Sequence, residues 1–144
     1  MKRKISTSIE QGERLLALGI DPDTTADMDW KHERDGEEYE VCPIDGRYHK
    51  GLFADRYKYT RPAWSLGALL RLLPDVIRTE NSRGKWFYTL HILKDRIEYG
   101  SRSDDGSWSA MISDSEENLI DAACNILCWL AANKFLEQGK EDGV

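Results

Sequence analysis

The stretch Pro62-Ala63-Trp64-Ser65-Leu66-Gly67-Ala68-Leu69-Leu70-Arg71-Leu72-Leu73-Pro74 carries the clearest structural signal in this chain. Proline has no amide hydrogen and biases the residue before it away from helix, so Pro62 predicts the start of the segment and Pro74 its end. Ser65 is a candidate N-cap, because its hydroxyl can accept a hydrogen bond from a first-turn amide. We therefore expect a short helix that buries one leucine-rich face, with Trp64 over its first turn. The leucines of that face are Leu66, Leu69, Leu70 and Leu73.

The length and composition are typical of one soluble globular domain. The chain has 144 residues, of which 40% are hydrophobic and 32% are charged. This length allows a sizeable core but does not favour division, so we expect a single domain over residues 1–144. The formal net charge is −6, and residues 73–144 hold 8 Lys and Arg against 13 Asp and Glu. A negative protein repels phosphate backbones, which disfavours a nucleic acid as partner.

Neither export nor a membrane span is predicted. The basic residues 1–4 are followed by the polar residues 6–11 rather than by the apolar run of a signal peptide. The most apolar window, residues 122–136, contains Asn and Lys and is shorter than the roughly 20 residues that a bilayer requires. Because three cysteines cannot all pair and no export signal is visible, we expect a cytoplasmic protein with reduced thiols. Because no span is predicted, we expect no membrane partner. They are Cys42, Cys124 and Cys128.

The first half of the chain predicts one helix and little regular structure after it. Thr7 has capping-box spacing to the glutamate at position 10, and the apolar pattern that follows stops at Gly19, so we expect a helix over about residues 8–18. Alternating residues predict a short strand near residues 27–30. From 31 to 61 the periodicity is lost, apart from a strand signal at residues 39–44. This region either contains short strands or is a functional loop.

The second half predicts a sheet and then a long helix. Val76 and Ile77 are interpreted as a brief extension of the preceding helix, and Asp104-Asp105-Gly106 as a tight turn. Alternating apolar and aromatic residues predict antiparallel strands. These strands lie near residues 86–93, 97–99 and 108–112.

Ser113 and Glu116 have capping-box spacing ahead of a wide apolar stripe, which predicts a helix over about residues 115–136. The polar residues 137–144 are expected to fray. Together these elements predict an α+β fold with a three-stranded antiparallel sheet, four-stranded if residues 27–30 join it. About three helices would pack on one face of that sheet.

Two groups of residues have some features of metal sites. Cys124 and Cys128 are four apart on a predicted helix, but no second Cys or His pair has zinc-ligand spacing, and apolar neighbours favour packing. The acidic run from Asp21 to Asp29 has Ala26 and His32 where a calcium loop needs glycine and glutamate. We therefore expect no metal and no cofactor.

One enzymatic hypothesis remains, in which Cys42 is a nucleophile and His49 its base. Both residues lie in the region 31–61, so only the fold can bring them together. The alternative is a half-buried cysteine that anchors the loop. Because no other catalytic set is recognisable, we expect a protein without catalytic activity.

A basic and aromatic segment occupies residues 47–61. Cations beside aromatic rings bind single-stranded nucleic acid through phosphate attraction and base stacking, and they also anchor protein interfaces. A third interpretation is intramolecular, in which the segment neutralises the acidic residues 21–40 or the acidic second half of the chain. Between the two binding interpretations, we place a protein partner ahead of a nucleic acid. The candidate residues are Arg47, Tyr48, Lys50, Phe53, Arg56, Tyr57, Lys58, Tyr59 and Arg61.

Three short motifs occur in order: Gly19-Ile20-Asp21-Pro22, the helix from Trp64-Ser65-Leu66 to Leu73-Pro74, and Asn118-Leu119-Ile120-Asp121-Ala122-Ala123. With them the chain resembles small uncharacterised proteins encoded in bacterial prophages and mobile elements. The resemblance implies a cytoplasmic accessory protein that acts on another macromolecule, and it transfers no catalytic or binding residue. We expect a non-enzymatic protein that binds a protein partner, with single-stranded nucleic-acid binding as the alternative.

Overall fold

The computed structural model of this chain describes residues 4–32, 39–43 and 60–136, which form an α+β structure, as predicted. The chain divides into two compact units, Met1–Leu70 and Arg71–Val144. The single domain stays a prediction. The described helices are α1 (Ile9–Ala17), α2 (Pro22–Thr25), α3 (Leu66–Leu72) and α4 (Leu119–Ala132). The described strands are β1 (Met28–His32), β2 (Tyr39–Pro43), β3 (Thr60–Ala63), β4 (Val76–Asn81), β5 (Gly84–Ile92), β6 (Arg96–Arg102) and β7 (Trp108–Ser115).

The first unit contains a three-stranded antiparallel sheet in the order β2-β1-β3. In the register, Asp29 of the central strand lies between Cys42 and Pro62. The expectation that Pro62 begins the helical segment is wrong, because Pro62 belongs to β3, an outer strand of the described sheet that tolerates a missing amide hydrogen. For residues 31–61 the sequence allowed either short strands or a functional loop. The described residues of this region lie in the short strands β1, β2 and β3.

Trp64 joins the N-terminal segment to this sheet. Its side chain is fully buried, and its indole N–H donates a hydrogen bond to Thr25 Oγ1 at 3.0 Å. The Thr7 amide donates to the Trp64 carbonyl at 2.9 Å, and the Trp64 amide donates to the Thr7 hydroxyl at 3.1 Å. Because Thr7 is engaged in this way, α1 is capped by Ser8, which accepts from the Gln11 amide at 3.1 Å. The predicted cap at Thr7 is one residue too early.

α3 confirms the helix predicted between the prolines. The Ser65 hydroxyl accepts a hydrogen bond from the Ala68 amide at 3.2 Å, as expected of its cap. The Ser65 amide donates to the Asp27 carboxylate at 2.8 Å, so the same residue also connects the helix to the segment before β1.

The second unit contains a four-stranded antiparallel sheet in the order β4-β5-β6-β7. The predicted meander of β5, β6 and β7 is confirmed. The fourth strand is β4, where a helical extension was expected, while the strand near residues 27–30 exists as β1 of the other sheet. The prediction of a single sheet is therefore wrong. Strands of four to six residues show too little periodicity to reveal partners that are distant in the chain.

α4 covers one face of the four-stranded sheet. It contacts β6 and β7, whereas α1 contacts β3 of the three-stranded sheet. The prediction that the helices pack on one face of one sheet is therefore wrong. α4 begins at Leu119, where the Asn118 side chain accepts a hydrogen bond from the Ile120 amide at 2.8 Å. The predicted start near residue 115 with Ser113 as cap is wrong, because Ser113 still belongs to β7.

The covered face contains the core of the second unit. Asn125 of α4 donates a hydrogen bond to Asp114 at 3.5 Å, and Asp114 lies opposite Ile97 in the register, so the helix lies on the Ile97 side. Ile97 and Tyr99 are fully buried. The Tyr99 hydroxyl donates to the Pro74 carbonyl at 2.7 Å, and burial raises the pKa of this hydroxyl well above its ordinary range.

Truncation of Leu69 tests the packing of α3. Leu69 is fully buried, so Leu69→Ala should lower the free energy of unfolding in urea by about 2–5 kcal/mol. Leu93→Ala is the matched control, because Leu93 is 38% exposed, and it should lower that free energy by about 1 kcal/mol or less. Equal effects of the two substitutions would contradict the buried position of Leu69.

Candidate binding face of the four-stranded sheet

The face of the four-stranded sheet opposite α4 carries mostly exposed side chains. Side chains alternate along a strand, and residues paired in the register share a face, so the membership of this face follows from the pairing. Phe87 is 52% exposed and Trp108 is 38% exposed on it. We call it the open face and define it by Arg78, Glu80, Lys85, Phe87, Thr89, His91, Arg96, Glu98, Gly100, Arg102 and Trp108.

A shift in the register places Trp108 on the open face. Tyr99 pairs with Ile112, but the next residue, Gly100, pairs with Ala110, so one residue of β7 has no counterpart on β6. Such a β-bulge reverses the alternation of side chains beyond it. Trp108 and Ala110 therefore lie on the face opposite to Ile112.

Gly100 provides the space that the Trp108 ring occupies. A Cβ atom built at residue 100 would lie 2.0 Å from Trp108 Cζ2, a distance that unbonded atoms do not reach. The His91 ring stands at 84° to the indole, with the ring centroids 4.6 Å apart. The guanidinium carbon of Arg102 lies 5.9 Å from the indole centroid, within the range of cation–π attraction. The indole thus extends from β7 across β6 to His91 of β5.

The open face is basic although the chain is acidic. It carries four basic side chains and two acidic ones. One of the acidic groups, Glu98, is only 8% exposed, and its carboxylate lies 3.4 Å from Arg96 Nε. Near it, Thr89 Oγ1 and His91 Nε2 are 2.8 Å apart. The ion pair offsets one charge of each sign, so three basic side chains and Glu80 remain outside it.

A hydrogen-bonded turn joins the strands that carry Arg102 and Trp108. Asp105 Oδ1 accepts hydrogen bonds from the Ser103 hydroxyl, from the Ser107 hydroxyl at 2.7 Å and from the Ser107 amide at 2.9 Å. These bonds, that from Ser103 first, lower the pKa of Asp105 to about 2. A lowered pKa stabilises the folded turn at pH values above about 4, and this contribution is lost as the pH falls through about 2. The turn predicted at residues 104–106 is confirmed.

The residues predicted to bind a partner fall mostly outside the described part of the chain. Arg61 is described, and it is half-buried in β3 opposite Trp30. The role of the segment 47–61 stays a prediction. The candidates outside the described residues are Arg47, Tyr48, Lys50, Phe53, Arg56, Tyr57, Lys58 and Tyr59.

The three cysteines lie in two different elements. Cys42 lies in β2, and His49 lies outside the described residues, so their catalytic pairing stays a hypothesis. Cys124 is buried and Cys128 half-buried in α4. Within residues 4–32, 39–43 and 60–136, no group of three or more His, Cys, Asp or Glu side chains is placed to hold a metal ion. No helix in these ranges is long and apolar enough to cross a bilayer.

Comparisons with protein-family models, with curated proteins and with solved structures found no match. The resemblance to proteins of prophages and mobile elements therefore remains an expectation.

The open face is hidden in the sequence, because the pattern of residues 108–112 suggests strict alternation of side chains. Strict alternation places Trp108, Ala110 and Ile112 on one face of a strand. The available signal was Gly100, since an isolated glycine within a strand pattern indicates a bulge or a close approach of another group. Its partner could not be named without the register.

A Gly100→Ala substitution tests the position of the indole. The added methyl group has to displace the Trp108 ring, so nuclear Overhauser contacts between the Trp108 and His91 rings should disappear. The free energy of unfolding should fall by about 1–3 kcal/mol, as in other overpacked sites. Gly67→Ala is the matched control, because the nearest atom to its added carbon is Ser65 Oγ at 3.8 Å. Unchanged ring contacts in Gly100→Ala would contradict the described arrangement.

Proposed function

We propose that this protein is a non-enzymatic binding protein and that the open face is its binding surface. The observation that carries the proposal is the Trp108 ring, which lies against Gly100 and His91 and yet is 38% exposed. Tryptophan and arginine are the residue types that most often anchor recognition sites. A ring held in place on a strand loses little conformational freedom when a partner covers it.

Phe87 and the basic side chains support the same proposal. Phe87 is 52% exposed on β5, on the same face as Trp108. Large apolar groups gathered on one exposed face mark interaction sites more often than scattered ones do. Arg102 lies beside the Trp108 ring, and Arg96 is on the same face. Their positive charge favours a partner that is negative where it contacts the sheet.

The segment 47–61 remains a second candidate surface, for the protein partner that the sequence favoured. A role as an accessory protein of a phage or mobile element is compatible with either surface, because the resemblance implies action on another macromolecule. The proposal does not depend on that context. It depends only on the position and exposure of the two aromatic side chains.

Replacement of both aromatic side chains tests the proposed surface. A tagged form of the protein is incubated with a bacterial lysate, and the molecules that copurify with it are recovered. We expect Phe87→Ala/Trp108→Ala to reduce the recovered amount of the partner by roughly tenfold or more. The copurified protein and nucleic acid are each quantified, so the readout does not depend on the class of the partner. Binding of the identified partner is then measured with purified components.

Ile5→Ala is the matched control, because Ile5 is a 51% exposed apolar residue of the other compact unit. Circular dichroism should show that all three proteins are folded, since the substituted side chains are exposed. If the double variant and Ile5→Ala recover every partner as well as the unsubstituted protein does, the open face is not the binding surface.

A further inference from the structure

The surroundings of Trp108 indicate what kind of group the open face accepts. One side of the indole is against the backbone at Gly100, and the His91 ring meets it nearly perpendicularly. The remaining exposed part of the ring can be covered by a flat group. Nucleobases stack on exposed aromatic side chains in this way, and each stacked base contributes measurably to binding.

The second aromatic side chain lies at a useful distance for a chain of bases. Phe87 is on β5 and Trp108 on β7, with β6 between them. The Trp108 ring crosses β6 and contacts His91, and Phe87 lies four residues before His91 on β5. Four residues of a strand span about 13 Å, so the two rings lie at different places along β5. Open four-stranded antiparallel sheets with aromatic side chains stack two or three bases of single-stranded RNA. The two exposed rings on this sheet supply two stacking positions.

The charges of the open face complement a phosphate backbone. The Arg102 guanidinium lies 5.9 Å from the indole centroid, and Arg96 and Lys85 are on the same face. Of the acidic groups on this face, Glu98 is paired with Arg96 at 3.4 Å. The other, Glu80, lies on the outer strand β4. The net charge of −6 on the whole chain opposes non-specific attraction, so binding should be confined to this face and weak at high salt.

We propose that the open face binds single-stranded nucleic acid, with one base on Trp108, a second on Phe87 and phosphates beside Arg96 and Arg102. This inference rests on the proposed function and names the class of its partner. DNA and RNA share the stacking and phosphate chemistry invoked here. The experiment therefore contains an arm for each.

Fluorescence anisotropy with labelled oligo-dT and oligo-U of about 10 nucleotides measures this binding. We expect saturable binding at about 50 mM salt and a roughly 7-fold loss of affinity at about 200 mM, as for about two phosphate contacts. A higher affinity for one oligonucleotide identifies DNA or RNA as the preferred ligand.

Substitutions locate the binding on the sheet. Trp108→Ala should weaken binding by about 5- to 150-fold through loss of one stacked base, and Trp108→Phe should recover much of that loss because it keeps a ring. Arg102→Gln should weaken binding and reduce the salt dependence. Arg14→Gln is the matched charge control, because Arg14 is an exposed residue of α1, and it should bind normally.

The double variant Arg56→Ala/Tyr57→Ala compares the open face with the segment 47–61. Normal binding by this variant together with weak binding by Trp108→Ala supports the proposal. Weak binding by the 56/57 variant with normal binding by Trp108→Ala overturns it, as does a complete absence of binding at low salt. In the last case the proposed function survives if a protein partner is lost from Phe87→Ala/Trp108→Ala, and only the class of partner is wrong. Should Trp108→Ala not fold, Trp108→Phe and Arg102→Gln decide between the same outcomes.

Discussion

The β-bulge of β7, opposite Tyr99 and Gly100, determines which side chains the four-stranded sheet exposes. Without it, strict alternation would leave Trp108 on the same side as Ile112, toward α4. With it, the indole lies on the opposite side, over a residue that has no Cβ. The bulge and the glycine thus act together: one reverses the side of the ring, and the other allows the ring to lie close to the backbone.

The parts of the fold that local sequence determines were predictable. The helix from Leu66 to Leu72 has a cap and a leucine face, and the meander of β5, β6 and β7 has long alternating runs and turn residues. The pairing of β1 with β3 was not predictable, because strands of five and four residues that are separated by about thirty residues share no local pattern. The start of α4 was placed too early because Ser113 and Glu116 have the spacing of a capping box. Ser113 lies within β7, and Glu116 directly follows that strand.

Of the candidate site, only the residue types could be read from the sequence, and not their arrangement. Tryptophan, arginine and an isolated glycine are visible in the sequence, but their proximity depends on the register between β6 and β7 and on His91 from β5. The basic residues of the open face were likewise hidden, because they are dispersed between positions 78 and 102 in an acidic half of the chain. A basic and aromatic segment such as 47–61 can be recognised in a sequence because its residues are contiguous. The residues of a sheet face are distant in the chain and come together only through strand pairing.

The most direct test of the open face follows each tryptophan separately during binding. The five tryptophans each give one indole N–H signal in a ¹⁵N-labelled protein, and a Trp108→Phe spectrum assigns the signal of Trp108. On titration with the preferred oligonucleotide, the Trp108 signal should move upfield as a base stacks on the ring. The signals of Trp30 and Trp64, whose N–H groups are hydrogen-bonded to Thr7 and Thr25, should stay in place. Movement of those two signals with Trp108 unchanged, or no movement of any signal, would contradict binding at the open face.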